Sequence, residues 1–245
     1  MRRVAATAVL AATLASCAGP RPGGHATVFA ASSLTEAFAA LARAARPGRG
    51  ISITFDFAGS QQLAAQLEQG APADVVAAAD RATLEGLRRA GRLAGAPVAF
   101  ATNRLEIVVR HGNPARVTSL ADLARTGLKV VLADPRVPAG GYAAQALAHA
   151  GAVVHPVSLE DNVKSVVTKV GLGEADAGIA YVTDVPAAGG EVTGVAVAER
   201  DQVVATYTAA ILKDAPHPGP ARSFLAFVRS PAGQAVLQRF GFGPP

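Results

Sequence analysis

Phe29-Ala30-Ala31-Ser32-Ser33-Leu34-Thr35-Glu36 decides the fold class of this chain. The apolar run from Ala26 to Ala30 reads as a strand, and Leu34, Phe38, Leu41 and Ala45 recur at the spacing of one helix face over Leu34 to Ala45. A strand that runs through small and hydroxyl residues straight into a helix is the opening of a βαβ unit. Ser33, with Glu36 three residues on, fits the capping-box pattern, in which the serine oxygen accepts a backbone N–H. A serine that accepts in this way still has its own proton to point outward, and the first-turn amides beside it have no partner inside the helix. A junction of this kind can hold an anion.

The same junction recurs at Phe57-Ala58-Gly59-Ser60-Gln61, between a strand over Ile51 to Phe57 and a helix over Gln61 to Gln69 that ends at Gly70-Ala71-Pro72. A third unit follows, with a short buried strand over Asp74 to Ala77 and a helix over Ala82 to Ala90. Two strands then read separately, Val98 to Ala101 and Arg104 to Arg110, before a turn at His111-Gly112-Asn113-Pro114. Further units pair Lys129 to Leu132 with a helix after Ala139, and Val153 to Val157 with a helix after Asp161. Ala177 to Tyr181 and Val203 to Leu212 are strands, and Pro220 to Arg229 and Pro231 to Phe240 are closing helices. The chain is therefore α/β. Periodicity fits one barrel or two sandwiches; a barrel calls for more regular spacing and polar residues at successive strand ends. Two junctions that each expose a hydroxyl and free amides at the carboxyl end of a strand make an anion cradle.

With 245 residues, 50% hydrophobic and 17% charged, the chain has ample material for a core. The formal charge of +5 comes from basic residues scattered singly or in pairs such as Arg88-Arg89, with no basic stripe and no interleaved aromatics, which argues against nucleic-acid binding. Arg2-Arg3, the apolar run Val4 to Leu14 and the small residues Ala15-Ser16 make a secretory signal too short to span a bilayer comfortably. Leu14-Ala15-Ser16-Cys17 resembles the lipobox of bacterial lipoproteins, so residues 1–24 are expected to be a signal cleaved before Cys17, with lipid on that cysteine, and a flexible Gly/Pro tether. Cys17 is the only cysteine, so the folded part has no disulfide.

Most chemistries are disfavoured. His25, His111, His149, His155 and His217 show no metal-ligand spacing, and there is neither a G-x-S-x-G elbow nor a phosphate-binding P-loop. Asp74, Asp80, Asp134, Asp161 and Asp176 sit near element ends, where carboxylates cap helices. An exported hydrolase would need a nucleophile–base pair or a metal, and neither has recognisable spacing. No enzyme, metal-ion ligand or cofactor is expected.

From the tether onward the chain resembles the molybdate-binding proteins of bacterial ABC importers, a group of two-lobed (type II) periplasmic solute receptors. The resemblance rests on Thr27-Val28-Phe29-Ala30-Ala31-Ser32-Ser33-Leu34-Thr35, Gly70-Ala71-Pro72-Ala73-Asp74-Val75 with Ala79-Asp80, Asp134-Pro135-Arg136-Val137-Pro138-Ala139-Gly140 with Tyr142-Ala143, Gly178-Ile179-Ala180-Tyr181, and Arg239-Phe240-Gly241-Phe242. It implies two lobes, each a mainly parallel sheet flanked by helices, with the ligand in the cleft between them. Residues 25–102 with 207–245 would form lobe 1 and residues 103–206 lobe 2, joined near Ala101 to Asn103 and Ala205 to Thr208.

The resemblance further implies that the hydroxyls of Ser33, Ser60 and Tyr181 and the amides of Ala139 and Val163 hold the oxyanion. Two departures stand out. Gly59 and Gln61 flank Ser60 where hydroxyl residues are common, and Asn162 precedes Val163 where an acidic residue is common. The expectation is a monomeric, lipid-anchored extracytoplasmic receptor, in the periplasm or on the outer face of the cell membrane, that delivers molybdate or tungstate to an ABC permease. Another oxyanion such as sulfate, or a small organic anion, is the alternative ligand.

Overall fold

The structure is a computed structural model that describes residues 24–245; Cys17 and most of the tether lie outside the described residues. The first half contains strands β1 (His25–Ala31), β2 (Ser52–Ala58) and β3 (Val75–Ala78), interleaved with helices α1 (Thr35–Arg49), α2 (Ser60–Glu68) and α3 (Arg81–Arg89). A long strand β4 (Val98–Arg110) carries the chain into the second half, made of β5 (Val130–Ala133), α4 (Pro138–His149), β6 (Ser158–Glu160), α5 (Val163–Gly171), β7 (Ala177–Tyr181), α6 (Asp184–Ala187) and β8 (Val192–Ala196). The chain returns along β9 (Val204–Ile211) and closes with α7 (Pro218–Arg229) and α8 (Pro231–Arg239).

The strands run β2-β1-β3-β9-β4-β7-β5-β6, with β8 also on β4. Strand β1 is parallel to β2 and β3, and β5 is parallel to β6 and β7. The connecting strands are antiparallel to their neighbours. Val98 to Arg104 of β4 pair with β9, Leu105 to Val109 pair with β7, and β9 continues onto β3 through Thr208 to Ile211. These two strands are the links between the halves.

Alternation along the strands explains how the first half is covered. Val28, Ala30, Val75 and Ala77 belong to one buried cluster with Phe38 of α1 and Phe224 of α7, whereas Phe29, Val76 and Ala78 belong to another with Leu63 of α2 and Leu84 of α3. Successive side chains leave a strand on opposite faces, so a strand apolar on both faces takes helices on both. Phe38 lies at the middle of the first cluster, with ring centroids 6.0 Å from Phe55, 5.7 Å from Phe100 and 5.9 Å from Phe224.

Several local expectations are corrected. Val98 to Ala101 and Arg104 to Arg110 are one strand of 13 residues. Asn103, between the two segments, is buried, its carbonyl accepting from Arg104 N–H and its amide donating to Thr183 Oγ1. Val153 to Val157 is not a strand: Val153 and Val157 are 71% and 60% exposed, and the edge strand is Ser158–Glu160. Pro156, which cannot donate to a ladder, keeps the approach irregular. The capping box at Ser33 does not form: Ser33 Oγ lies against the Tyr207 hydroxyl rather than accepting a first-turn amide, and Glu36 turns to Lys164.

Phe38→Ala should destabilise the protein by roughly 3–5 kcal/mol, the range for emptying a packed aromatic site. Equilibrium urea unfolding measures it, and a loss below about 1 kcal/mol would remove the four-ring cluster as the centre of the first half.

Candidate functional site

Every parallel strand ends its carboxyl end at the same cleft. Strand β1 leads through a short 3-10 turn, Ser32–Leu34, into α1, and β2 leads through Gly59 into α2, whose first residue is Ser60. Strand β5 leads through the Asp134 loop into α4, where Pro138 and Ala139 are the first two residues; β6 leads through Asn162 into α5, which starts at Val163; β7 ends at Tyr181. Gly140 makes the α4 junction possible, because a Cβ there would lie 2.1 Å from the Asp134 carbonyl oxygen. The pocket between these ends is small, with a cavity volume of about 10 Å³, and all five residues singled out above line it: Ser33, Ser60, Ala139, Val163 and Tyr181. No residue lining it is charged.

The polar groups there are sealed from water. Ser60 is 2% exposed, and its oxygen accepts from Ala79 N–H at 3.1 Å, so its own proton is not committed to that bond. Tyr181 is 1% exposed and its hydroxyl has no hydrogen-bond partner. Burial holds that phenol well above its ordinary pKa, so it stays protonated. Ser33 Oγ lies 2.8 Å from the hydroxyl of Tyr207. As first-turn groups, the amides of Ala139 and Val163 have no intrahelical acceptor. Among the described residues Ser33 Oγ is paired with Tyr207 and Ser60 Oγ with the Ala79 amide, and the geometry offers donors to a small anion.

The two departures around Ser60 and Val163 have structural roles. Gln61 Nε2 donates to the Asp161 carbonyl at 2.8 Å and Gln62 Nε2 to the Asp161 carboxylate at 2.9 Å, tying α2 to the start of α5 across the cleft. Gly59 lets the two sides approach that closely, since a Cβ there would fall 2.5 Å from the Asp161 carbonyl oxygen. Asn162 caps α5 by accepting from Ser165 N–H, as an acidic residue would, without adding a negative charge beside the cleft.

Sequence reasoning missed Tyr207, Asn103 and the ionic group behind Tyr181. Lys164 Nζ donates to both oxygens of Glu36 at 3.0 and 2.9 Å, joining α5 to α1, and lies 3.5 Å from Asp184 Oδ1. Asp184 is 1% exposed and accepts from Tyr181 N–H at 3.1 Å, which fixes the backbone that carries the free phenol. Burial pushes its carboxyl up to about 6, against the pull of Lys164 and of the Tyr181 amide. The one signal in the sequence was Asn103, a polar residue in the middle of an otherwise β-prone run.

Comparisons with known proteins identify the family and the fold. Residues 26–243 match the family described as bacterial extracellular solute-binding protein. The chain is 42% identical over 250 residues to the molybdate-binding protein ModA of Mycobacterium tuberculosis (strain ATCC 25618 / H37Rv), covering 98% of this chain and 96% of that protein. Among solved structures it is similar to the periplasmic molybdate-binding protein of Azotobacter vinelandii (TM-score 0.78, 20% identity, 90% of this chain and 99% of that one). It is also similar to the sulfate-binding protein SubI of Mycobacterium tuberculosis H37Rv (TM-score 0.79, 22% identity, 90% and 87%). At these identities the two structures speak to the fold.

The raised carboxyl of Asp184 predicts a pH dependence. The native state binds this proton near pH 6 and the unfolded chain only near the ordinary aspartate value of 3.8, so below 6 the native state holds more protons. Stability should therefore rise by roughly 1 kcal/mol per unit as pH falls from about 6 towards about 4, and be flat in this respect above 6. Chemical denaturation across that range, with Asp184→Asn lacking the slope, checks it; the same slope in the variant would discard the assignment.

Proposed function

The chain belongs to the bacterial extracellular solute-binding protein family, among its molybdate-binding members, and we propose that it captures molybdate, and also tungstate, for delivery to an ABC permease. It acts in this reading as a receptor, not an enzyme. The observation that carries the reading is the buried hydroxyl of Tyr181, without a hydrogen-bond partner among the described residues, at a small pocket lined by Ser33, Ser60 and the first residues of α4 and α5, with no charged side chain among the described residues that line it. A buried polar group without a partner costs about 1–3 kcal/mol, so a protein that keeps one is holding it for something absent from the bare chain.

The energetics favour a fully deprotonated tetrahedral ion. Stripping a dianion of water costs tens of kcal/mol on a simple solvation estimate. Charge-assisted hydrogen bonds return about 1.5–3 kcal/mol each, and helix N-termini about 0.3–1 kcal/mol. A full set of donors from both sides is therefore required: Ser33 and Ser60 from one half, Ala139, Val163 and Tyr181 from the other. A ligand that touches both halves favours the closed arrangement by its differential affinity. With residues 25–102 and 207–245 as one lobe and 103–206 as the other, the linking strands β4 and β9 are the hinge, and the closed form is what a permease would meet. No helix among the described residues is long and apolar enough to cross a membrane. Lipid on Cys17 would hold this monomeric receptor at the membrane, outside the cytoplasm.

Calorimetry with molybdate should show Ser60→Ala and Tyr181→Phe each losing about 1–3 kcal/mol of binding free energy. Unchanged affinity in both would take these hydroxyls out of the site. A thermal-shift panel of molybdate, tungstate, sulfate and phosphate ranks the ligands: a larger shift with sulfate transfers the reading to that oxyanion, and no shift with any of them defeats it.

Membrane fractionation tests the anchor. Cys17→Ser should release the protein into the soluble exported fraction, with the mature size checked on a gel because uncleaved precursor also sediments with membranes. Mature Cys17→Ser protein that stays in the membrane fraction would show that lipid on this cysteine is not the anchor.

A further inference from the structure

We infer that Tyr207 and Asn103 are positioning residues that commit the Ser33 hydroxyl to donating its proton into the cleft. This rests on the anion-binding reading above and adds what that reading leaves open, the direction of a hydroxyl that can either donate or accept.

The argument is a count of protons. Asn103 Oδ1 accepts from Arg104 N–H at 2.9 Å, which orients the amide, so Nδ2 is the end that faces Thr183 Oγ1 at 2.9 Å and the Tyr207 hydroxyl at 3.4 Å. Nδ2 only donates. Tyr207 is fully buried, and its hydroxyl has two neighbours within hydrogen-bond reach among the described residues, Asn103 Nδ2 and Ser33 Oγ. The phenol proton therefore has one acceptor, Ser33 Oγ at 2.8 Å. The opposite polarity, Ser33 donating to Tyr207, would leave a phenol proton buried with no partner, a cost of about 1–3 kcal/mol that the observed arrangement avoids. With Tyr207 donating, the lone pair that Ser33 presents inward is occupied, and its own proton turns to the only other polar surroundings it has, the cleft that it lines.

The same logic governs Ser60, whose oxygen is occupied by Ala79 N–H. Both serines are thus set as donors by groups behind them. The setting group at Ser33 comes from the linking strands, since Asn103 lies on β4, Tyr207 on β9, and Thr183 just after β7. Burial also keeps the Tyr207 phenol far above its ordinary pKa, so it remains a donor over the whole working range of pH.

A double-mutant cycle separates positioning from packing. The Tyr207 ring packs edge-on against Phe100, Tyr181 and Phe242 at 6.2, 5.9 and 5.3 Å, and Tyr207→Phe keeps those contacts while removing only the hydroxyl. Molybdate titrations by calorimetry are run on the full mature chain for wild type, Tyr207→Phe, Ser33→Ala and the double variant, with thermal melts confirming that all four fold. Tyr207→Phe should weaken molybdate about tenfold in the wild-type background and less than about twofold when Ser33 is already alanine. Equal losses in both backgrounds would mean that Tyr207 acts by packing, and no loss in either would mean that Ser33 needs no setting; either result overturns the inference. Wild-type protein that binds none of the four oxyanions would instead remove the reading on which it rests, and the inference with it.

Discussion

The structure depends on keeping hydrogen-bond donors unspent. Three buried hydroxyls and the first residues of two helices meet at one small pocket, and among the described residues that line it none carries a charged side chain. In a low-dielectric interior each such donor is a liability until something negative enters, because its hydration has been given up and nothing has replaced it. Much of the surrounding architecture serves to hold those groups in that state. Ala79 N–H occupies the Ser60 oxygen, Asp184 holds the backbone of Tyr181, and Gly140 lets the start of α4 seat Ala139 against the Asp134 loop.

Closure is a second layer on the same constraint. A neutral cage works only if the two halves come close enough to exclude water, and the contacts across the cleft are polar and specific: Lys164 with Glu36, and Gln61 and Gln62 with Asp161. Such bonds, partly exposed, contribute little each. Their value is geometric, since they register α5 against α1 and α2 so that Val163 faces the two serines. The missing side chain at Gly59 sets the distance, and Asn162 caps α5 with a neutral side chain whose amide donates to the neighbouring Asp161 carboxylate at 2.8 Å. The charge of Lys164 is taken up by Glu36 and Asp184, outside the cleft lining, so the site remains uncharged.

The α/β class and most of the elements were legible because strand and helix periodicities are local properties, set by which face of a short segment must be buried; the short α6 and the strand β8 were not read. The five cleft residues were legible through resemblance, and the two serine junctions through the recurrence of one pattern. Where local reading failed, a distant partner had overruled it. Val98 to Ala101 and Arg104 to Arg110 read as two strands although Thr183 and Tyr207 take up the amide of the buried Asn103 between them, and Val153 to Val157 looked like a strand because edge position and Pro156 leave little mark on apolar periodicity. Ser33 and Glu36 have the spacing of a capping box, yet each finds a stronger partner elsewhere in the fold.

The sequence by itself determined the α/β class, most of the strands and helices, and the placement of hydroxyls at strand ends. Only the tertiary structure decided which way those hydroxyls point and which groups close the cleft. Ser33 and Tyr207 are separated by 174 residues, and Lys164 and Glu36 by 128. The direction of a proton on a hydroxyl depends on which acceptors lie within 3 Å of it. That is fixed only when β9 has packed beside β3 and the two halves have met, a condition no window of neighbouring residues can encode.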